Sequence, residues 1–305
     1  MRFLPFALLA LAACSSSAPT SEPPVTANPE TTPDEPVAAT SDAPPVAPRS
    51  KPANGSEGCG ATLTPGVQSL SIDVGGTKRT YVLSVPAAYD ALTAYRVVFV
   101  FHSGGGTGTR ARDYFGFANI AEDKAIFVYP DGRSGNWDLE TPADANADVA
   151  FVEAIVASLA KSACVDASKV FATGSSNGAY FVNQLGCRRG ASLLRAIAPH
   201  SGSGPYDQGS AYDADGHLQC AGKPVPAMIF HGLADTNVSP ADGQATVDHW
   251  SWANGCTSST KPTAPSPCVA FDGCRSPVVS CRIPNQGHRI WAQGPQATWD
   301  FFASF

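Results

Sequence analysis

The chain is short of charge and of basic residues in particular. Only 15% of its 305 residues are Asp, Glu, Lys or Arg, and acids outnumber bases 26 to 20. A net charge of −6, a pI near 5.4 and the lack of any Lys/Arg cluster exclude nucleic acid as a partner, because phosphate backbones need clustered cations. Past residue 13 no apolar run is long enough to cross a bilayer. No CxxC pair and no paired Cys/His spacing occurs, which argues against a zinc site. The glycine-rich run at 104–106 is not followed by Lys-Ser/Thr and does not fit the dinucleotide fingerprint, so no phosphate loop and no cofactor is expected. There is no internal repeat, and nothing fixes an oligomeric state.

What is present falls into three segments. Residues 1–14, MRFLPFALLALAAC, place one cation before an apolar run that stops at a cysteine, the form of an export signal. The end of that run, Leu11-Ala12-Ala13-Cys14, resembles the bacterial lipobox. That resemblance implies cleavage before Cys14 and its lipidation, so the membrane would be met only through the anchor. An exported protein held at the bacterial cell surface or outer membrane is expected, or an extracellular one if the leader is simply removed. Residues 15–56 carry ten prolines and no aromatic residue. Such a stretch buries too little apolar surface to offset its ordering entropy and reads as a disordered tether. Residues 57–305 suffice for one sizeable core, a single domain.

Nine cysteines are present. Apart from Cys14 there are eight, an even number that suggests four disulfides in an exported chain. If 268–281 forms a hairpin centred between Cys274 and Arg275, Cys268 faces Cys281 and Cys274 is left at the tip to reach Cys256. The other four, Cys59, Cys164, Cys187 and Cys220, allow three pairings that the sequence does not separate.

Strand-like runs alternate with helical ones, the pattern of an α/β fold with a mostly parallel sheet flanked by helices. Ser69–Val74 and Thr80–Val85 read as a hairpin turning at Gly75-Gly76. Arg96–Phe101 is a continuous apolar run suited to a strand covered on both faces. Ala125–Tyr129, Val170–Thr173, Ala196–Ala198, Ala227–Phe230 and Pro277–Ile283 are further strands. Val149–Ala160 has helical spacing, with Asp148 as its expected N-cap.

Gly174-x-Ser176-x-Gly178 follows a strand and precedes a helical stretch, the context of a nucleophile elbow. Glycines two residues either side let the backbone pack closely around a strained serine. Ser175 occupies the variable position and is read as structural. The acid is expected at a strand end after the nucleophile. Asp235, just beyond Ala227–Phe230, is favoured over Asp242, which lies deeper in its loop. Of the histidines that follow, His249 sits in a helical stretch beside Trp250 and Trp252, whereas His288 sits in a short glycine-containing loop after a strand. His288 is therefore the expected base, and His231, earlier in the chain than the acid, is expected to brace the acid loop. Oxyanion donors are expected from the N–H of Asn177 and from the loop after Arg96–Phe101, at Gly104 or, next, Ser103. Trp137, Trp291, Tyr206 and Tyr212 are candidate pocket walls.

The pieces FHSGGG, DVAFV at 148–152, VFATGSSNG, HGLAD, NGC at 254–256 and QGHRIW, in that order, resemble the polyhydroxybutyrate depolymerase-like and feruloyl esterase family, close to carbohydrate esterase family 1. The resemblance spans residues 57–305. It implies an α/β-hydrolase fold and a carboxylic ester hydrolase working through a Ser-His-Asp triad, here Ser176, His288 and Asp235, on feruloyl, acetyl or other short-acyl esters, with a poly(3-hydroxybutyrate) or oligo-hydroxyacid depolymerase as the alternative. Two departures stand out: His102-Ser103 replaces the usual His-Gly, and His288-Arg-Ile-Trp291 replaces His-Thr-Trp-Pro. No polymer-binding module is evident, which favours soluble or plant-wall esters over solid poly(3-hydroxybutyrate). A lipase would need an apolar lid, and no long amphipathic insert occurs. A catalytically inert binding protein on a hydrolase scaffold is the reading from another class; it gives no reason for all three triad groups to occur in order.

Overall fold

The computed structural model describes residues 49–206 and 211–305. The leader, Cys14 and most of the expected tether lie outside them.

Among the described residues, ten strands form one sheet: β1 Gly66–Val74, β2 Thr77–Val85, β3 Tyr95–Phe101, β4 Ala125–Pro130, β5 Val165–Ser175, β6 Ala196–His200, β7 Ala227–Gly232, β8 Thr260–Pro262, β9 Cys268–Phe271 and β10 Val278–Ile283. Their spatial order is β1-β2-β4-β3-β5-β6-β7-β10-β9-β8. The six from β4 to β10 in that order run parallel, and antiparallel pairs close both edges. The helices are α1 Gly108–Phe115, α2 Ala147–Ser162, α3 Asn177–Arg188, α4 Pro240–Ala253 and α5 Gly294–Ala303.

The apolar run of β3 is explained by cover on both faces. Val97, Phe99 and Phe101 join a core with Phe151 and Ile155 of α2, Phe181 of α3 and Trp250 of α4. Val98 and Val100 point the other way, to Phe115 of α1 and Trp299 and Phe302 of α5. At the β1–β2 turn Gly75 and Gly76 have φ of 58° and 77°, and Val74 pairs Thr77, so the hairpin needs its two glycines.

Two expectations are corrected. The N-cap of α2 is Asn146, whose Oδ1 accepts the N–H groups of Asp148 and Val149. Asp148 instead turns inward, where Arg79 Nη2 lies 2.6 Å from its Oδ1. Ordered packing also begins before residue 57. Asn54 donates to Asp166 at 2.6 Å, and the Ser56 N–H donates to the Val165 carbonyl at 2.9 Å. These short polar residues satisfy the entry of β5, a role that composition does not advertise.

Four disulfides staple the domain: Cys59–Cys164, Cys187–Cys220, Cys256–Cys274 and Cys268–Cys281. In the β9–β10 register Cys268 stands opposite Cys281. The first disulfide ties the segment ahead of β1 to the residue just before β5. The last two hold the antiparallel edge that carries β10 toward residue 288.

Among the described residues, no helix is long and apolar enough to cross a membrane.

Candidate active site

The chain leaves β3 for β4 on one side and returns to β5 on the other. The C-terminal ends of β3 and β5 are therefore neighbours with a crevice between them, where ligands gather in open α/β sheets. Phe101 pairs with Gly174, which brings the 102–106 loop alongside Ser176.

Ser176 sits between β5 and α3 with φ 54° and ψ −122°, a left-handed region that costs a non-glycine residue of order 1–3 kcal/mol. Its N–H is held by the His200 carbonyl at 2.9 Å. A Cβ at Gly174 would lie 2.8 Å from the Gly178 backbone, and one at Gly178 would strike the carbonyls of Phe101 and His102. Both glycines are thus required by close approach of backbone to backbone.

His288 Nε2 lies 2.9 Å from Ser176 Oγ, and His288 Nδ1 lies 2.8 Å from Asp235 Oδ2. With Asp235 accepting from Nδ1–H, Nε2 is left free to accept the serine proton. The other oxygen of Asp235 accepts the N–H groups of Asn237 at 2.9 Å and Val238 at 3.0 Å. Burial acts to raise the pKa of this carboxyl. The Val238 N–H, His288 and the Asn237 N–H outweigh that, so it stays below the usual range and ionised. A hydroxyl, an imidazole and a buried carboxylate in this chain of bonds can turn the hydroxyl into a nucleophile.

The acid and base loops hold each other. Leu233 N–H donates to the Ile283 carbonyl and Ala234 N–H to the Gln286 carbonyl. His231 Nε2 contacts the Val238 carbonyl at 3.1 Å and lies 3.8 Å from Asp235, bracing the acid loop. The sequence rivals have other duties. Asp242 closes a capping box with Ser239 at the start of α4, and His249 lies in α4 with Nε2 3.4 Å from Cys220 Sγ.

Across the crevice, loop 131–138 backs the 102–106 loop. Gly132 N–H donates to His102 Nε2 at 2.8 Å, so the His102 proton sits on Nδ1, which donates to the Ser103 carbonyl. Burial lowers the pKa of His102 despite the Ser103 carbonyl and nearby acids, in keeping with this neutral form. Gly105 N–H is committed to Gly135 O and Gly106 N–H to Ser103 O. Asn177 is the first residue of α3, so its N–H has no partner within the helix.

A cavity of about 620 Å³ opens on this site, lined by Ser103, Gly104, Tyr114, Ser175, Ser176, Asn237, His288, Arg289 and Ile290. Trp137 and Trp291 are not among its walls. Trp137 is buried against Phe101 and Phe181, and Trp291 packs toward Phe230. Tyr206 and Tyr212 line a separate hollow with His217 and His249. Aromatic residues in loops were drawn into packing, which periodicity cannot foresee. Arg79 and His200 also escaped the sequence reading. Arg79 stands in the polar first half of β2, between Lys78 and Thr80, and His200 ends a short strand, so neither is marked by its neighbours.

Among the described residues, two groups bring metal-ligating side chains together, Cys187/Cys220/His249 and Asp213/Asp215/His217. The first has its two sulfurs bonded to each other. In the second, Asp213 already accepts from the N–H groups of Asp215 and His217 and from Gln219.

No family model matches the chain. Feruloyl esterase C of Emericella nidulans is 33% identical over 268 residues, covering 81% of this chain and 90% of that protein. A probable feruloyl esterase C of Aspergillus terreus is 32% identical over 267 residues, with the same coverage of each. Among solved structures, an acetyl xylan esterase from Aspergillus awamori superposes with a TM-score of 0.60 at 20% identity, over 77% of this chain and 99% of that one. A ferulic acid esterase from Anaeromyces mucronatus gives a TM-score of 0.52 at 14% identity, over 82% and 96%. Fold, site and relatives together define a carboxylic ester hydrolase of the α/β-hydrolase fold. Within that class the chain belongs to the feruloyl esterase C family. Its four disulfides fit an exported protein.

Proposed function

We propose that the chain is a serine esterase that releases hydroxycinnamic acids such as ferulate from plant polysaccharide esters, with Ser176 as nucleophile, His288 as base and Asp235 as its orienting acid. The observation that carries the reading is the unbroken hydrogen-bond chain from Asp235 through His288 to Ser176, on a strained turn facing a cavity. The substrate class is supported by the names of the relatives that match most of their length.

Ser176 Oγ attacks the ester carbonyl carbon while its proton passes to His288 Nε2. The oxyanion accepts hydrogen bonds from the N–H of Asn177 and of Gly104, with Ser103 as the alternative donor in that loop. Collapse breaks the ester C–O bond, and the alcohol departs with the proton from His288. Water then attacks the acyl-enzyme and gives its proton to His288. The second collapse frees the acid and returns the proton to Ser176. Asp235 stays ionised throughout.

Ser176→Ala should lose roughly 10⁴- to 10⁶-fold in kcat against methyl ferulate with its melting temperature unchanged. An alanine variant that keeps turnover would move the nucleophile elsewhere. Rates on methyl ferulate against nitrophenyl acetate, nitrophenyl butyrate and hydroxybutyrate oligomers should favour the ferulate. A preference for the oligomers would replace the substrate class and leave the triad standing.

The remaining assignments belong to the same proposal. The 1–14 segment acts as an export signal cleaved before Cys14, which becomes the lipid anchor, and 15 onward acts as a tether. The support is arithmetic: eight of the nine cysteines are consumed in disulfides, leaving Cys14. Mass spectrometry of the mature N-terminus should find a diacylated Cys14. An unmodified N-terminus there would leave export without an anchor.

A further inference from the structure

Loop 131–138 touches both halves of the proposed oxyanion site. Toward the first half, Gly132 bonds to His102 Nε2, Gly135 receives Gly105 N–H, and Trp137 Nε1–H donates to the His102 carbonyl at 2.9 Å. Toward the second half, the backbone N–H of Trp137 donates to Asn177 Oδ1 at 2.8 Å. Trp137 is thus bonded both to the loop that carries Ser103 and Gly104 and to the residue after Ser176. The ends of the loop are clamped as well. Arg79 Nη2 donates to the Asp131 carbonyl at 3.0 Å, and Asp148, paired with Arg79, accepts the Asp138 N–H at 2.7 Å.

Resting on the reading of Ser176 as nucleophile, we propose that Trp137 is a positioning residue that fixes the spacing between the two oxyanion donors. An oxyanion hole works only when its donors stand at the place where charge develops, and those donors come from segments far apart in the chain. Residues 104 and 177 follow neighbouring strands whose pairing ends at Phe101 and Gly174, so beyond that point loop contacts set their separation. Trp137 is 4% exposed and absent from the cavity wall, so it does not act by touching substrate. Its ring fills a site between Phe101 and Phe181, with centroids at 5.0 and 5.2 Å. A filler of that site would need no indole N–H, yet this N–H is spent on a backbone carbonyl of the oxyanion loop. The side chain and the main chain of one residue therefore join the two donors.

Trp137→Phe keeps one aromatic ring in the site and removes the five-membered ring that carries the N–H donor. Its kcat on methyl ferulate should fall about tenfold with KM unchanged, less than the loss of a whole donor. Affinity for an aryl boronic acid, which forms a tetrahedral adduct on serine, should fall by the same factor, while ferulate binds as before. Asn177→Ala, which keeps the Asn177 N–H and removes the acceptor for Trp137, should show the same split. A raised KM with kcat retained would make Trp137 a pocket wall. A lowered melting temperature with kcat and boronate affinity intact would make it core filling; either result overturns the proposal. Ser176→Ala separates the two readings. If it abolishes boronate binding and turnover while Trp137→Phe and Asn177→Ala change neither, the tie fails and the nucleophile stands. If it leaves turnover intact, the nucleophile reading itself fails.

Discussion

Two aspartates back the site at nearly equal burial, Asp148 behind the 131–138 loop at 2% exposure and Asp235 against His288 at 4%, and they are partnered in opposite ways. Asp148, on the oxyanion side, faces Arg79, a guanidinium that never loses its charge in the working range. Asp235, on the base side, faces His288 and His231, whose charge depends on where protons are. Burial alone therefore does not tell a structural acid from a chemical one. A permanent cation locks a carboxylate into scaffolding, whereas an imidazole leaves it responsive to a proton that moves. The oxyanion side has to keep amides still, and the base side has to accept and return a proton within each turnover.

The largest effect expected from this contrast is on Asp235→Asn. The amide can still accept from Asn237 and Val238, so the fold should survive with only the modest loss that giving up a favourably held carboxylate brings. Against His288, however, it loses the carboxylate that fixes the tautomer and offsets the imidazolium. A fall in kcat of about 10⁴-fold with a near-native melting temperature is expected. A variant that unfolds instead would make the two aspartates alike. Asp148→Asn should do the reverse. Removing one partner of a buried ion pair leaves the Arg79 charge uncompensated, a loss of about 3–5 kcal/mol in denaturant unfolding. Arg79→Met should cost a similar amount, and the double variant less than the sum of the two. Additive losses would mean that the pair is not coupled.

The base side was the more legible of the two in the sequence. A nucleophile elbow, an acid at a strand end and a histidine in a glycine-containing loop are local signatures, because each residue's role is set by the turn it sits on. The oxyanion side depends on partners distant in the chain. Arg79 and Asp148 are 69 residues apart, and nothing local marks either for the other. Asp148 looked like a helix cap because acids at such positions usually are, but Asn146 takes that place two residues earlier. Trp137 looked like a pocket wall because aromatics in loops can be, but a buried hydrogen-bond acceptor drew it inward. The central strands were readable from their apolar runs. Helices α1 and α5 and the three-residue β8 carry too little periodic signal. The β9–β10 register followed from two cysteines that a hairpin sets face to face.

A third buried titratable group sharpens the contrast because it has no charged partner. His200, at the end of β6, is 1% exposed, stacked on Phe230 and bonded through Nε2 to Thr298. Burial lowers its pKa to about 3. Below about 6.5 the unfolded chain binds a proton that the folded chain refuses, so stability should fall with pH by roughly 1.4 kcal/mol per unit toward that lowered pKa. Asp235 acts in a different window. With its pKa depressed, its contribution is present above the unfolded carboxyl value and disappears only as pH falls below it. His200→Gln should flatten the slope between pH 6 and 4.5, measured by denaturant unfolding, and leave the steeper acid loss below pH 4. An unchanged slope would assign it to other histidines.

The smallest expected effect tests how tightly the base side is held. Gln286, between β10 and His288, works twice. Its carbonyl receives the Ala234 N–H of the acid loop, and its side-chain amide donates to the Arg289 carbonyl at 3.0 Å, closing the turn around His288. Gln286→Ala removes only the second bond, because the carbonyl belongs to the backbone. One such bond contributes about 1 kcal/mol, which in a domain of this size moves the melting temperature by roughly 2–4 °C. The imidazole must also reach Ser176 with its angle intact, so kcat should fall about threefold while KM holds. If the variant loses stability but not turnover, His288 is positioned by Asp235 alone, and the base side needs no more than its one carboxylate. If turnover falls as expected, the base side relies on hydrogen-bonded backing as the oxyanion side does, and the partner of the buried acid is what separates them.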